Sequence, residues 1–156
     1  MNINDTDAQP MPREQDKLPF WMKRTPSGPN ANETFVVYAS DKKTLFCRAA
    51  RTLFHHITDL SKVQDADKTQ LAVQGPDLPS LMAAWLTELN ALHSDRRILF
   101  KRFAILEMSN IYLKAEACGE DYDPARHVLR RAGQAALQSQ PAVDYVNDQW
   151  IARLAL

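Results

Sequence analysis

The sequence predicts an α+β domain, in which an antiparallel or mixed sheet carries two main helices packed on one face. Three observations support this fold class. Residues 41–60 and 79–94 show apolar side chains at helical spacing, shorter segments alternate between apolar and polar residues, and the two kinds of segment follow one another in mixed order. Strands and helices mixed in this way, with hairpins between strands, are typical of α+β domains.

The first helix organises the rest of the chain. Ser40 or Asp41 can cap its start by accepting hydrogen bonds from the first free N–H groups. Its apolar side chains form one wide face, which must be buried against a sheet or other helices. They are Leu45, Phe46, Ala49, Ala50, Leu53, Phe54 and Ile57. Asp59 follows at the helix exit, where the negative end of the helix dipole slightly disfavours an acid.

A second helix is predicted to open at Asp77 or Pro79, with Trp85 on its buried face. Segments rich in β-branched and aromatic residues, or with alternating polarity, predict the strands. These segments are 35–38, 69–74, 98–106 with Lys101 and Arg102 inside it, 111–117, 143–146 and 150–156. Residues 128–138 stay open, because alanine and leucine favour a helix there while Gly133 weakens it.

The first 32 residues are predicted to be a disordered or loosely packed tail, and residues 33–156 the folded domain. Five of the nine prolines fall in the tail, and low hydrophobicity makes autonomous folding unfavourable there. An apolar island at 18–22 interrupts it. Two interpretations are open: the island packs back on the domain, or Phe20 and Trp21 form a short docking peptide for a partner.

The overall composition excludes several classes of protein. Lysine plus arginine equals aspartate plus glutamate at 19 each, so no strong direct binding to nucleic acid through phosphate neutralisation is expected. No apolar run approaches the ~20 residues of a membrane span, and the N-terminus lacks the pattern of a secretory signal. Cys47 and Cys118 fit a reducing cytoplasm, although a disulfide between them stays open. We therefore expect a cytoplasmic protein.

Candidate chemistry concentrates in the acidic stretch 118–127. Glu120, Asp121 and Asp123 could bind a hard cation through their carboxylates, and a solvated acidic loop is the alternative. Asp123 and His127 could form an acid–imidazole pair across one turn. Because no zinc-ligand spacing, phosphate-binding loop or nucleophile with a base is visible, the sequence predicts a protein that is not an enzyme.

Several motifs taken together resemble the archease family. A helix that ends in T-D at 58–59 is followed by D-L-x-x-L-x-x-x-W-L-x-E-L from Asp77, by G-E at 119–120 and by D-P-x-x-H at 123–127. The resemblance covers residues 34–156, and it is the order of the motifs that makes it specific.

The resemblance implies a strand-helix-strand-strand type of α+β fold and a function. Archeases assist the GTP-dependent RNA ligase that joins tRNA exon halves. They promote its guanylylation and multiple turnover and do no ligation themselves. The implied partner is therefore such a ligase, in tRNA splicing or RNA repair, and the implied cofactor is a divalent metal ion, Ca²⁺, Mn²⁺ or Mg²⁺.

The resemblance also selects site residues. Asp59, Glu120, Asp123 and His127 are expected to form a functional cluster that faces the metal or the ligase, with the carboxylates engaging either a metal or a basic patch and His127 orienting them. The aspartate of the H-T-A-D motif, a metal ligand of the family, falls near Asn32, where an amide keeps one acceptor oxygen and loses the charge.

Two further differences identify the chain as a divergent member. The lysine of the late V-K-A-x-T motif is absent from 133–137, and no aspartate follows the last apolar run. The altered H-T-A-D motif and the missing terminal aspartate favour an alternative function: a metal-independent protein-interaction or scaffold module that keeps the archease fold and uses Phe20, Trp21 and the acidic loop to hold another protein. The retained T-D and D-P-x-x-H motifs favour ligase activation.

Overall fold

Seven strands and two long helices make up the computed structural model, which describes residues 18–25, 33–130 and 137–156. The strands are β1 (Met22–Thr25), β2 (Thr34–Ala39), β3 (Asp67–Gln74), β4 (Ile98–Met108), β5 (Tyr112–Asp121), β6 (Ala142–Val146) and β7 (Gln149–Ala155). The helices are α1 (Lys42–Ile57) and α2 (Leu78–Arg96), and one turn of 3-10 helix covers Leu60–Lys62. Within the described residues, neither helix is long and apolar enough to cross a membrane.

The strands form two antiparallel sheets, with strand orders β1-β2-β7-β6 and β3-β5-β4. Helix α1 contacts both. Arg48 donates a hydrogen bond to the Tyr38 carbonyl of β2 at 2.8 Å, and Arg51 donates to the Lys101 carbonyl of β4 at 2.9 Å. The predicted α+β class is confirmed. The strands divide into two sheets because more than half of the side chains of α1 are buried, which needs cover on more than one side.

Capping fixes the start of both helices. Asp41 accepts hydrogen bonds from the Thr44 N–H at 2.8 Å and the Thr44 hydroxyl at 3.0 Å, so the predicted cap of α1 is confirmed. Asp77 caps α2 in the same way, accepting from the Ser80 N–H at 2.8 Å. The buried Trp85 of α2 donates its indole N–H to the Phe46 carbonyl of α1 at 2.8 Å, which satisfies its polar atom in the core.

The predicted acidic loop is wrong in part, because its first residues belong to the hairpin of β4 and β5. Glu120 and Asp121 belong to β5, so the strand runs four residues beyond the predicted end at Ala117. Pairing explains the extension, because Cys118 and Gly119 pair with both β3 and β4, and Glu120 and Asp121 pair with Leu99 and Ile98 of β4. Only from Tyr122 onward does the chain leave the strand.

Gly119 allows these two strands to approach each other closely. A Cβ atom at this position would lie 1.8 Å from the Leu99 carbonyl oxygen, which is backbone and cannot move aside. The G of the G-E motif is therefore required by packing, one residue before the acid that the motif also contains.

The apolar island at 18–22 packs back on the domain through Trp21 and Met22, whereas Phe20 stays exposed. Met22 begins β1, pairs with β2 and is 4% exposed, and the Tyr38 N–H donates to the Trp21 carbonyl at 2.9 Å. These residues, assigned to the tail by the sequence, therefore form part of the fold. The rest of the predicted tail, residues 1–17 and 26–32, lies outside the described residues.

The two cysteines do not form the disulfide that the sequence left open. Both Cys47 and Cys118 are free thiols. The Sγ atom of Cys47 lies 3.5 Å from the Phe103 carbonyl oxygen, and Cys118 is buried within β5. Burial raises the pKa of the Cys47 thiol, so it is kept in the protonated, less reactive form.

Candidate functional site

A closed polar cluster forms where the end of β5 meets the chain that follows it. Leu113 and Ala117 face the core from alternate positions of β5, so Glu120 lies on the opposite face of the strand. Its side chain is nevertheless only 10% exposed, because hydrogen-bonding groups from residues 62–64 and 123–127 surround it.

Four hydrogen bonds saturate the Glu120 carboxylate. Arg126 donates Nη2–H to Oε1 at 2.6 Å and Nη1–H to Oε2 at 3.2 Å. The Gln64 backbone N–H reaches Oε2 at 2.8 Å, and His127 Nε2 lies 2.9 Å from the same oxygen. We call Glu120, Arg126, His127 and the Gln64 N–H the Glu120 clasp.

The electrostatics of the clasp keep its acid ionised. The hydrogen-bonded Arg126 guanidinium is the main cause that lowers the pKa of Glu120 to about 2. Burial acts in the opposite direction, and the N–H groups of Gln64 and His127 add to the lowering. At neutral pH the clasp is therefore an ion pair inside a network of hydrogen bonds.

The tautomer of the His127 ring follows from its hydrogen-bond partners. Its Nδ1 accepts a hydrogen bond from the Asp123 backbone N–H at 2.9 Å, so that nitrogen carries no proton. The ring therefore carries its hydrogen on Nε2 and donates it to Glu120. The side chain of His127 is fully buried, so it acts as a fixed donor within the fold.

Asp123 shapes the turn that returns Arg126 and His127 to Glu120. Its Oδ1 accepts from the Ala125 N–H at 2.9 Å, and its carbonyl accepts from the N–H groups of Arg126 and His127 at 3.0 and 2.8 Å. Its Oδ2 also lies 3.4 Å from Nε of Arg126. The D-P-x-x-H motif is thus a turn whose acid builds the shape and whose histidine closes the clasp.

Thr58, at the end of α1, bonds the segment that follows the clasp, residues 128–130. Its hydroxyl donates to the Val128 carbonyl at 2.8 Å, and Thr58 forms an isolated antiparallel bridge with Leu129. The Arg130 N–H then donates to the Ile57 carbonyl at 2.7 Å. The threonine of the T-D motif therefore joins the helix exit to the segment that follows the D-P-x-x-H turn.

Asp59 takes no part in the hydrogen bonds that join the other three predicted site residues. Its carboxylate caps the 3-10 turn, accepting from the Ser61 N–H at 3.0 Å and the Ser61 hydroxyl at 2.7 Å. It lines an open cleft of about 390 Å³ together with Trp21 and Arg51. Partial burial acts to raise its pKa, but the Ser61 hydrogen bonds and the nearby cations Arg130 and Lys62 outweigh it, so the pKa is lowered.

Comparison with known proteins shows the family of the chain. The model of the Archease protein family matches residues 30–156. The chain belongs to the archease family. It is 30% identical over 125 residues to the archease of Methanopyrus kandleri, covering 78% of this chain and 89% of that protein. It is also 30% identical over 130 residues to the archease of Methanosarcina acetivorans, covering 81% and 89%.

A solved structure shares the fold of this archease-family chain. The solution structure of protein 1598 of Methanobacterium thermoautotrophicum aligns with a TM-score of 0.68 at 23% identity, covering 87% of this chain and 99% of that one. Three of the short motifs that carry the family resemblance, T-D, G-E and D-P-x-x-H, lie in or beside the Glu120 clasp.

The predicted site residues do not fit the divalent metal that archease membership implies. No group of three or more histidine, cysteine, aspartate or glutamate side chains among the described residues is placed to hold a metal. Both oxygens of Glu120 already accept hydrogen bonds, and the positive charge of Arg126 stands beside them. A dication would have to displace a guanidinium. Asn32, the position aligned with the family's ligand, lies outside the described residues.

Sequence reasoning missed two members of the clasp. Arg126 occupies one of the unspecified positions of D-P-x-x-H. Its place shortly after three acidic residues, Glu120, Asp121 and Asp123, was a signal that it could form an ion pair with one of them. Gln64 contributes only its backbone N–H, and the sequence carries no signal for that. The structure brings together Glu120, Asp123 and His127, and their role in function stays a prediction.

Proposed function

We propose that this protein activates a GTP-dependent RNA ligase, supporting its guanylylation and multiple turnover in tRNA splicing or RNA repair. Archease-family proteins are generally non-catalytic accessory proteins. The observation that carries the proposal is the family match over residues 30–156, with the G-E and D-P-x-x-H motifs joined in the clasp and the T-D motif bonded to the segment that follows it. We place this activity in the cytoplasm, because the free thiols Cys47 and Cys118 suit a reducing compartment.

The clasp supports the proposal by holding a charged surface in a fixed shape. Asp123 and Arg126 expose 44% and 42% of their side chains, while His127 beneath them is fully buried. Because these exposed groups are already ordered by hydrogen bonds, little side-chain entropy is lost when a partner docks on them. Asp123 together with Asp59 offers carboxylates to a basic patch on the ligase, as the sequence predicts.

Multiple-turnover ligation tests the proposal. The cognate RNA ligase is supplied with GTP, a broken RNA and a substoichiometric amount of this protein. We expect many turnovers only when the protein is present, and we expect Asp59→Ala and Asp123→Ala to reduce the effect. Asp95→Ala removes an exposed carboxylate near the end of α2 and is the matched control. A ligase rate that the wild-type protein leaves unchanged would contradict the proposal.

A second candidate function is a metal-independent interaction or scaffold module that keeps the fold. It is favoured by the saturated Glu120 carboxylate, which offers no open coordination position. Titration calorimetry with the purified ligase in EDTA measures binding, and the ligation assay measures turnover. The two measurements together separate the two functions. Binding combined with faster turnover supports the accessory role, whereas binding without any change in turnover supports the scaffold role.

A further inference from the structure

A cleft on another part of the surface combines aromatic rings with positive charge. It lies at the end of the four-stranded sheet, where β2 leaves the sheet and β7 begins, and its volume is about 420 Å³. The rings lining it belong to Phe20, Trp21 and Tyr38, and the cations are Lys23 and Arg48. We call it the Phe20 cleft. It contains none of the residues of the Glu120 clasp.

Phe20 is exposed although the backbone beside it is fixed. The residue is 89% exposed, whereas Met22, two residues further along, is 4% exposed and belongs to the core. The Met22 N–H donates to the Pro19 carbonyl at 3.1 Å, which closes a turn around Phe20. The phenyl ring is therefore presented to solvent by an anchored turn and is available to a ligand.

The two cations are positioned by the rings and by the sheet. The Arg48 guanidinium carbon lies 5.6 Å from the ring centroid of Phe20 and 5.4 Å from that of Trp21, and Arg48 also donates to the Tyr38 carbonyl. The Lys23 ammonium lies 5.3 Å from the ring centroid of Tyr38. Positive charge is thus held directly beside flat apolar surfaces.

The acid at the rim of the cleft does not cancel this charge pattern. Asp41 follows Ser40, which lines the cleft, but both of its carboxylate oxygens accept hydrogen bonds from Thr44 at the start of α1. Its charge is directed to the helix N-terminus, where the dipole favours it. The cleft therefore suits a ligand that has a planar ring and a negative group.

We propose that the Phe20 cleft binds a nucleotide of a single-stranded nucleic acid, with the base stacked on Phe20 and a phosphate beside Lys23 and Arg48. Stacking platforms flanked by cations are the common means of holding single strands, because every base has a flat face and every linkage has a charge. Gln149 and Ser40 line the same cleft and supply polar groups for the edge of the base. This inference is independent of the proposed ligase activation.

The neighbouring surface favours a strand over a free nucleotide. The register of the sheet places Ile151 opposite Tyr38, and it places Lys23 and Arg153 on either side of Val36. Because paired residues share one face of a sheet, an apolar strip of Val36, Tyr38 and Ile151 continues from the cleft across its outer face, with Lys23 beside it. Arg153 lies on the same face and is already paired with Asp144 at 3.5 Å. A single nucleotide would leave this strip uncovered, whereas a short strand can follow it.

Fluorescence anisotropy with a labelled eight-nucleotide single-stranded RNA and the full chain tests the stacking contact. We expect Phe20→Ala and Phe20→Leu to weaken binding about 5- to 150-fold, the range that a lost base–aromatic stack gives, and Phe20→Trp to retain it. Ile111→Ala, which truncates an exposed side chain beside the β4–β5 hairpin, is the control and should bind as wild type.

The salt dependence tests the phosphate contact. We expect Lys23→Ala to lower the slope of log K against log salt by about 0.7, the value for one phosphate of a single strand. Lys68→Ala, which removes an exposed lysine from β3 of the other sheet, should leave the slope unchanged. Because the cleft holds two cations, Lys23 and Arg48, the total slope should be small.

Competition by a free nucleotide tests whether the cleft prefers a strand, and two further results would overturn the site. We expect free GMP to displace the RNA only at concentrations far above that of an unlabelled RNA of the same length. Equal competition by GMP would overturn the assignment to a strand. No binding at 50 mM salt, or equal affinity of wild type and Phe20→Ala, would overturn the nucleotide site itself.

Discussion

The Glu120 clasp and the Phe20 cleft both combine charged side chains with rings, but they differ in how completely these groups are paired. In the clasp, four donors saturate one carboxylate, and both nitrogens of His127 are engaged. In the cleft, Phe20 is 89% exposed, and Lys23 and Arg48 lie beside rings that leave room for a ligand.

This difference separates a group that builds the fold from a group that is free to bind. A buried ion must be hydrogen-bonded by its own protein, because desolvation without partners costs several kcal/mol. Once it is saturated it cannot serve a ligand without breaking those bonds. The family motifs at the clasp therefore act first by fixing the shape of the surface, and the exposed groups around them are the ones that can meet a partner.

The largest effect is expected from removing the acid of the clasp. Glu120→Ala leaves the Gln64 N–H and the His127 Nε2–H without their acceptor, and each unsatisfied buried donor costs about 1–3 kcal/mol. We expect a loss of about 2–4 kcal/mol in the free energy of unfolding, measured by urea denaturation. Arg126 contributes less, because 42% of its side chain is exposed and remains hydrated.

Glu116→Ala is the matched control for this prediction. Glu116 lies four residues earlier in β5, and its hydrogen bond from Gln70 Nε2, at 3.2 Å, is exposed. We expect a change below about 0.5 kcal/mol. Similar losses for Glu116→Ala and Glu120→Ala would show that the clasp adds nothing beyond an ordinary strand position.

The next largest effect is expected in the free energy of unfolding as the pH is lowered. The pKa of Glu120 is about 2 in the folded protein, compared with about 4.3 for an unfolded glutamate. Because the unfolded chain takes up this proton first, the stabilisation is complete above about pH 5 and is lost as the pH falls toward 2. The difference in unfolding free energy between wild type and Glu120→Gln should shrink across this window. A constant difference down to pH 2 would contradict the lowered pKa.

Most of the fold could be predicted from the sequence, because local patterns specify it. Apolar spacing and the caps Asp41 and Asp77 placed both helices, and alternation placed the buried face of β5. The division into two sheets was not predictable, since it depends on which strands pair across long distances. The end of β5 was misplaced because Glu120 and Asp121 look like loop residues until pairing with β4 is known.

The candidate site was predictable only in part. The motifs pointed to Glu120, Asp123 and His127, which the fold brings together. They did not reveal that Arg126 neutralises the acid, because only the turn at Asp123 brings the guanidinium to the carboxylate. The sequence left Phe20 and Trp21 open as a docking peptide. The cations beside them became visible only in the structure, which brings Arg48 of α1 to these two rings and Lys23 of β1 to Tyr38.

A small effect on stability is expected at the cleft. Phe20→Ala should change the free energy of unfolding by less than about 0.5 kcal/mol, because the ring buries little surface. Met22→Ala, two residues away and 4% exposed, should cost about 2–5 kcal/mol in the same urea assay. A loss above 1 kcal/mol for Phe20→Ala would mean that the ring packs as part of the core, which would remove the contrast with the clasp.

The smallest expected effect concerns metal ions, which should shift the melting temperatures of wild type and Glu120→Gln by the same amount. In thermal melts with excess Mg²⁺, Ca²⁺ or Mn²⁺, wild type and Glu120→Gln should respond equally, because Arg126 already supplies the cation of the clasp. The assay is sensitive, since an ion at 100 times its Kd adds about 2.7 kcal/mol. An equal shift in both proteins would place an ion outside the clasp. A shift that Glu120→Gln abolishes would make the clasp a metal site and would restore the metal-dependent role that the family resemblance implies.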